Sequence, residues 1–231
     1  MSAQSDQAEV EKQLGNFFFD RGEGKKGSEE LDRAVEHYTR ALNLFRCVFG
    51  DNHPKTARAL WGLGIVQKER GEVESSIHTH NQVLQIFASV YGHLHQDTAD
   101  MHYNIGCIYN DVIYDADRRA EEARKKGENS VATAAASEAD CAATLAESHL
   151  RSSLAVYIKV LGARHRDVGH TMTDVGLACL RNGKLLEAKE ILEEAVSIRL
   201  ESLGTEHPDT QESQAALDKV KSRMIAVEDN A

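Results

Sequence analysis

The sequence predicts an all-α superhelical solenoid of stacked antiparallel helix pairs, and three observations carry that reading. A Gly-x-x-His anchor recurs at Gly50–His53, Gly92–His95, Gly162–His165 and Gly204–His207, with spacings of 42, 70 and 42 residues. Between the anchors, apolar and small residues recur at steps of three and four, as in Ala34, Tyr38, Ala41, Phe45 and Phe49. That spacing places them on one face of a helix. The 231 residues include only two prolines, and a composition rich in Ala, Leu and Glu favours helix.

Other columns keep the same frame. Fourteen residues after the first three anchors come Gly64, Gly106 and Gly176, preceded by Leu63, Ile105 and Val175. Leu42, Leu84, Leu154 and Val196 lie eight residues before the anchors, and Ala34, Ser76, Ala146 and Ala188 form a small-residue column. The middle spacing exceeds the others by 28, so one repeat carries an insertion of that length. At the N-terminal end, Leu14-Gly15 matches Leu63-Gly64, and Arg21-Gly22 matches Arg70-Gly71. The frame then requires seven extra residues, which Glu23–Asp32 supplies as a longer loop. Gly22, Gly71 and Gly183 are expected at left-handed helix C-caps. His53-Pro54 and His207-Pro208 should open helices, because Pro lacks only an N–H that would be unpaired there. Small residues let the helices of a pair approach, and Leu63, Tyr38 and Leu192 fill the gaps. A single pair cannot bury its apolar face, so pairs must stack.

A Leu-Gly step followed by a small residue twelve positions on resembles the tetratricopeptide repeat (TPR). The 42-residue period and the G-x-x-H-P junction resemble the variant of kinesin light chains and nephrocystin-3-like proteins. The resemblance runs from about Ala8 to Met224. It departs from kinesin light chains in lacking their N-terminal heptads and in having fewer repeats. It implies a single array over residues 1–224, with pairs at 6–50, 55–92, 97–162 and 167–204 and a cap helix at 209–224. Residues 225–231 would be a tail, frayed from about Arg223.

The insertion lies between Tyr114 and Ala146. Asp117–Lys126 is charged and helix-favouring, Gly127–Ser130 reads as a turn, and Ala132–Leu145 is Ala-rich. A helical hairpin over 117–145 is the favoured reading, since neither arm contains Pro and Gly127 falls near the middle. Its projection would be roughly 20 Å. A disordered Ala/Glu-rich loop is the alternative.

The TPR resemblance implies that the first helix of each pair lines a concave groove. The inward positions are then Lys12, Gln13, Asn16 and Phe19; Arg58, Trp61, Ile65 and Lys68; Asp100, Tyr103, Asn104, Cys107 and Asn110; and His170, Thr173, Asp174, Leu177 and Arg181. Such a mixture suits a peptide: aromatics supply contact area and Asn side chains bond the peptide backbone. In one reading Trp61 and Tyr103 flank the pocket and Asn104 holds the main chain. In the other, Trp61 packs between repeats. Lys12-Gln13-Leu14-Gly15-Asn16 also matches the start of the carboxylate clamp of TPR co-chaperones. The clamp is incomplete, because Gly62, Asp100 and Asn104 stand where it needs Asn, Lys and Arg, and an Asp would repel a carboxylate.

The formal net charge of −10 disfavours nucleic acid and anionic membrane surfaces. Cys47, Cys107, Cys141 and Cys179 show no C-x-x-C spacing, so zinc, other metals and redox chemistry are not expected. No apolar run reaches the roughly 20 residues of a membrane span, and the N-terminus is not a signal peptide. A soluble cytoplasmic protein without cofactor follows. The eleven histidines include one per repeat junction, too far apart to share an ion, and no nucleophile, base and orienting group form a catalytic motif. The expected function is a non-enzymatic adaptor or scaffold that binds a protein or peptide segment in the groove. The alternative is a constitutive subunit of a larger assembly, docking through the hairpin or the convex face. Self-association through a terminal repeat is left open.

Overall fold

The computed structural model describes residues 3–228. Among them are nine α-helices and no strand: α1 (Ala3–Gly22), α2 (Glu29–Phe49), α3 (Pro54–Glu69), α4 (Val73–Tyr91), α5 (Gln96–Lys126), α6 (Asn129–Leu161), α7 (Arg166–Arg181), α8 (Leu185–Leu203) and α9 (Pro208–Glu228). The chain forms two compact units, Met1–Met101 and His102–Ala231, divided within α5.

Each anchor column has a local physical cause. Gly50, Gly92, Gly162 and Gly204 end α2, α4, α6 and α8 at φ between 85 and 92° with ψ between 148 and 175°. That region is essentially closed to side-chain-bearing residues. Three residues on, the imidazole caps the next helix. His53, His95, His165 and His207 each accept, through Nδ1, the backbone N–H two residues ahead at 3.1–3.2 Å. This satisfies one of the donors that a helix start leaves unpaired.

The Leu-Gly column works by absence of a side chain. A Cβ on Gly15, Gly64, Gly106 or Gly176 would lie 2.9, 2.8, 2.7 and 2.5 Å from Tyr38, His80, Leu150 and Leu192 respectively. Those four residues form a column of their own on the second helix of each pair. In the first unit Tyr38 is wedged between Gly15 and Gly62, and its hydroxyl donates to Asn16 Oδ1 at 2.6 Å. His80 is buried, and burial lowers its pKa. We expect Gly176→Ala to lower stability by about 1–2 kcal/mol, because overpacking against the fully buried Leu192 outweighs the gain of about 1 kcal/mol in helix propensity. Urea denaturation checks this; an unchanged midpoint would mean that Leu192 can swing aside.

In the first unit the core joins Ala41, Phe45, Leu60, Val83, Phe87 and Met101, with a second cluster around Leu31, Tyr38 and Val66. In the second unit Leu150, Val175, Cys179, Leu192, Leu217 and Val220 form the core. The α5 and α6 helices span 31 and 33 residues, against 16 and 19 for α3 and α4. They run antiparallel through 117–145 and meet at Gly127, which has φ 75°. Ala116, Ala120 and Ala123 on α5 and Ala132, Ala135, Ala139 and Ala142 on α6 are buried. Their small side chains sit at steps of three and four, and Arg119 bonds Glu138 across the pair at 2.8 Å.

Three expectations need correction. Gly22 is not a left-handed cap; it is the last residue of α1, buried, where a Cβ would meet Leu31 at 3.0 Å. The positive-φ turn falls on Gly24 and Gly27 instead. The loop is shorter than Glu23–Asp32, because Ser28 caps α2 and Glu29–Asp32 form its acidic first turn, which suits the positive end of the helix dipole. The expected tail is helical as far as Glu228, and the remainder of 225–231 lies outside the described residues.

Candidate peptide-binding site

The residues expected on the inner face divide between the two units. In the first, Lys12 pairs with Glu9 at 2.6 Å, and the Asn16 carbonyl is engaged by Tyr38. Arg58 is exposed and bonds Asp97 at 3.3 Å. Trp61 is partly buried against the core, with Nε1 buried and without a hydrogen-bond partner among the described residues. Ile65 and Asp100 are partly buried. Trp61 and Tyr103 belong to different units.

In the second unit three expected residues come together. Arg199 Nη2 donates to His170 Nδ1 at 2.6 Å. A guanidinium has no acceptor, so Nδ1 carries no proton and Nε2–H is left to donate. Nε2 lies 2.7 Å from Tyr103 Oη, which in turn donates to Asp174 Oδ2 at 3.0 Å. The chain of donors thus runs Arg199, His170, Tyr103, Asp174. Burial first, then the Asp174 carboxylate, raises the Tyr103 pKa, the opposite of what a tyrosine nucleophile needs. Burial also holds the Asp174 carboxyl above its ordinary range, against the pull of His170 and Tyr103. Arg199 is 1% exposed and also reaches Ser213 at 2.6 Å and the Asp209 carbonyl. The network therefore ties α5, α7, α8 and α9 together.

A cavity of about 650 Å³ opens between α5, α6, α7 and α9. Leu177, expected on the inner face, lines it with Ile113, Leu180 and the 74% exposed Tyr114. Asn110 and Arg181, from the same inward set, also line it. Arg181 is held in bidentate fashion by Asp117, with Nη2–Oδ1 at 2.8 Å, and Asp140 stands 3.7 Å away. Lys219 and Arg223 on α9 complete the rim, and neither forms an ion pair among the described residues. Asn104 is partly buried and does not line the cavity. Sequence reasoning missed Lys219 and Arg223 because α9 was treated only as a cap. Its place as the first helix of a fifth 42-residue unit was the available signal.

A third cluster brings Glu147, Cys179 and Glu187 within 4.8 Å of one another. Its donors are already spent on cations. Glu147 accepts from Arg151 Nε at 2.8 Å, Asn182 Nδ2 at 2.6 Å and Lys184 Nζ at 2.7 Å. Burial opposes ionisation there, but these hydrogen bonds outweigh it and lower the Glu147 pKa to about 2. Burial pushes the Cys179 thiol up to about 11 despite the pull of Arg151, so it remains a thiol rather than a metal-binding thiolate. The cluster is an ion-pair lock between α6, α7 and α8.

No helix among the described residues is long and apolar enough to cross a membrane. The tetratricopeptide repeat family model matches residues 6–88 and 134–201, well over half of the chain. Curated protein sequences give no match. A crystal structure of a Podosopora anserina protein of kinesin-light-chain type, with nearly identical TPR-like repeats, is 19% identical with a TM-score of 0.69, covering 99% of this chain and 93% of that one. The apo form of RapI is 15% identical with a TM-score of 0.61, covering 99% and 73%. BtubC (BKLC) from P. vanneervenii is 14% identical with a TM-score of 0.51, covering 99% and 93%. At these identities the likeness is one of fold.

Proposed function

Because this chain belongs to the tetratricopeptide repeat family, with repeats of the kinesin-light-chain type, we propose that it is a protein-interaction adaptor whose second unit receives a peptide segment. The observation that carries this reading is the cavity of about 650 Å³ between α5, α6, α7 and α9. Its size lies within the range of ligand sites, about 300–1,000 Å³. Ile113, Leu177 and Leu180 offer an apolar floor, and Tyr114 offers an aromatic face. Lys219 and Arg223 supply positive charge in a chain of net charge −10. The matching ligand is a segment with an apolar side chain for the floor and a carboxylate for the rim. Tyr103, His170 and Asp174 then act only indirectly, by tying together helices that border the pocket. Lys12, Asn16, Arg58, Trp61, Ile65 and Asp100 in the first unit, and Asn104 in the second, remain candidate contacts within their own units.

Selection from a displayed random-peptide library tests the proposal. Wild type should enrich peptides that pair an apolar residue with Asp or Glu. A Lys219→Glu/Arg223→Glu variant, with unchanged circular dichroism, should bind them at least about tenfold more weakly, the loss of roughly 1.4 kcal/mol. Equal binding by the variant would sink the groove. Loss on Val131→Glu/Leu145→Glu instead would move the function to the α5–α6 hairpin and favour the reading as a subunit of a larger assembly.

A further inference from the structure

The first helix of every later pair, and α9, hides one face. In the repeat frame, Val10 corresponds to Ala59, Met101, Thr171 and Ser213, all at most 1% exposed. Phe17 corresponds to Val66, Ile108, Ala178 and Val220, all at most 4% exposed. The Leu14 column contains Ile105, Val175 and Leu217, which are buried as well. On α1 the same three positions hold apolar side chains and lie open: Val10 is 55%, Leu14 37% and Phe17 51% exposed. They sit at i, i+4 and i+7, one continuous stripe. The outward residues of α9 differ in kind, with Gln211, Gln214, Asp218, Lys221 and Ser222 exposed. A repeat array needs polar outer faces at its ends. The middle of α9 presents such a face, with Ile225 and Val227 exposed only near its C-terminal end, and the α1 face is apolar.

The charges around the stripe indicate what covers it. Asp6 lies two turns before its centre and Arg21 two turns after. Both are exposed, and neither forms an ion pair among the described residues. Arg21 rests over the Phe17 ring, 5.5 Å from its centroid, at the edge of the stripe. Two copies of α1 laid antiparallel about a two-fold axis near Leu14 would place Val10 against Phe17 of the other copy. The same register sets Asp6 opposite Arg21 at both ends. A surface that complements itself in this way is the requirement of an isologous contact. Gln7 and Gln13 border the stripe and add no charge to oppose the pairing.

We propose that the exposed stripe of α1 is a self-association surface, and that its occupant is α1 of a second copy of this chain, antiparallel. The contact is one helix about 30 Å long against another, small beside the roughly 1,200–2,000 Å² of a standard stable interface. Dimerisation should therefore be concentration-dependent and reversible.

Sedimentation velocity of the full chain, from low micromolar to several hundred micromolar, tests this. Wild type should shift from monomer to dimer across the range. Leu14→Glu/Phe17→Glu should remain monomeric with unchanged helicity, since both side chains are exposed. Arg21→Asp alone should weaken the dimer at least about tenfold, and Asp6→Arg/Arg21→Asp together should restore it, because the swap rebuilds both pairs only in the antiparallel register. A wild type monomeric throughout would overturn the proposal and leave the face to a helix of another protein. So would a dimer indifferent to the stripe variants, or a charge swap that fails to rescue.

Discussion

Glu147→Ala will unfold at a much lower urea concentration than wild type, with a loss of about 3–5 kcal/mol. Glu147 is 5% exposed and receives hydrogen bonds from three side chains: Arg151 on its own helix, and Asn182 and Lys184 in the turn between α7 and α8. Removing it takes from Lys184 and Asn182 their carboxylate acceptor and leaves Arg151 paired with Glu187. The pH dependence has the same origin. The folded pKa of about 2 lies below the ordinary 4.5. Ionised Glu147 therefore favours the fold fully above about pH 4.5, and its contribution disappears as pH falls toward 2. The depression is worth roughly 3 kcal/mol at most. Urea midpoints between pH 5 and pH 2 should fall steeply in wild type and less steeply in Glu147→Gln. Parallel slopes would mean that other carboxylates control acid unfolding.

Arg199→Ala should also cost about 3 kcal/mol or more. The guanidinium is buried, and its removal takes a charged donor from His170 Nδ1, the Ser213 hydroxyl and the Asp209 carbonyl, leaving Ser213 with Thr173 and Asp209 with Ser213. A hydrogen bond to a charged group is worth about 1.5–3 kcal/mol, and the lost side chain leaves a void. Arg199→Lys should not restore stability, because an ammonium cannot reach in two directions as the planar fork does. The imidazole offers a local readout. In wild type the ¹⁵N shifts of His170 should report an unprotonated Nδ1 and a protonated Nε2. In Arg199→Ala the two nitrogens should move toward a mixture of tautomers. Unchanged shifts would show that Tyr103 alone sets the ring.

Much of the fold was legible because its signals are periodic. The Gly-x-x-His column marks a backbone conformation reserved for glycine and, three residues on, an imidazole that caps the next helix. The Leu-Gly column marks where Tyr38, His80, Leu150 and Leu192 press in. Such requirements are local, so they repeat wherever the unit repeats. Gly22 shared the spacing of Gly71 but not its backbone, since the longer turn of that repeat moved the left-handed residue to Gly24.

The candidate site was only partly legible. A helical frame was enough to set Tyr103, His170, Asp174 and Leu177 on first helices. It gave no sign that Arg199 lies beneath His170, or that Lys219 and Arg223 rim the cavity with Leu177. By itself the sequence determined the helix pairs, their caps and the small-residue contacts within each pair, because these depend on neighbours at constant separation. Tertiary structure alone decided which charges are buried. Whether Glu147 and Arg199 lie dry and paired depends on groups distant in sequence arriving within 3 Å. A helical position that would be solvated in isolation gives no hint of that arrival, because burial of an ion is a property of its partners and not of its place in the period.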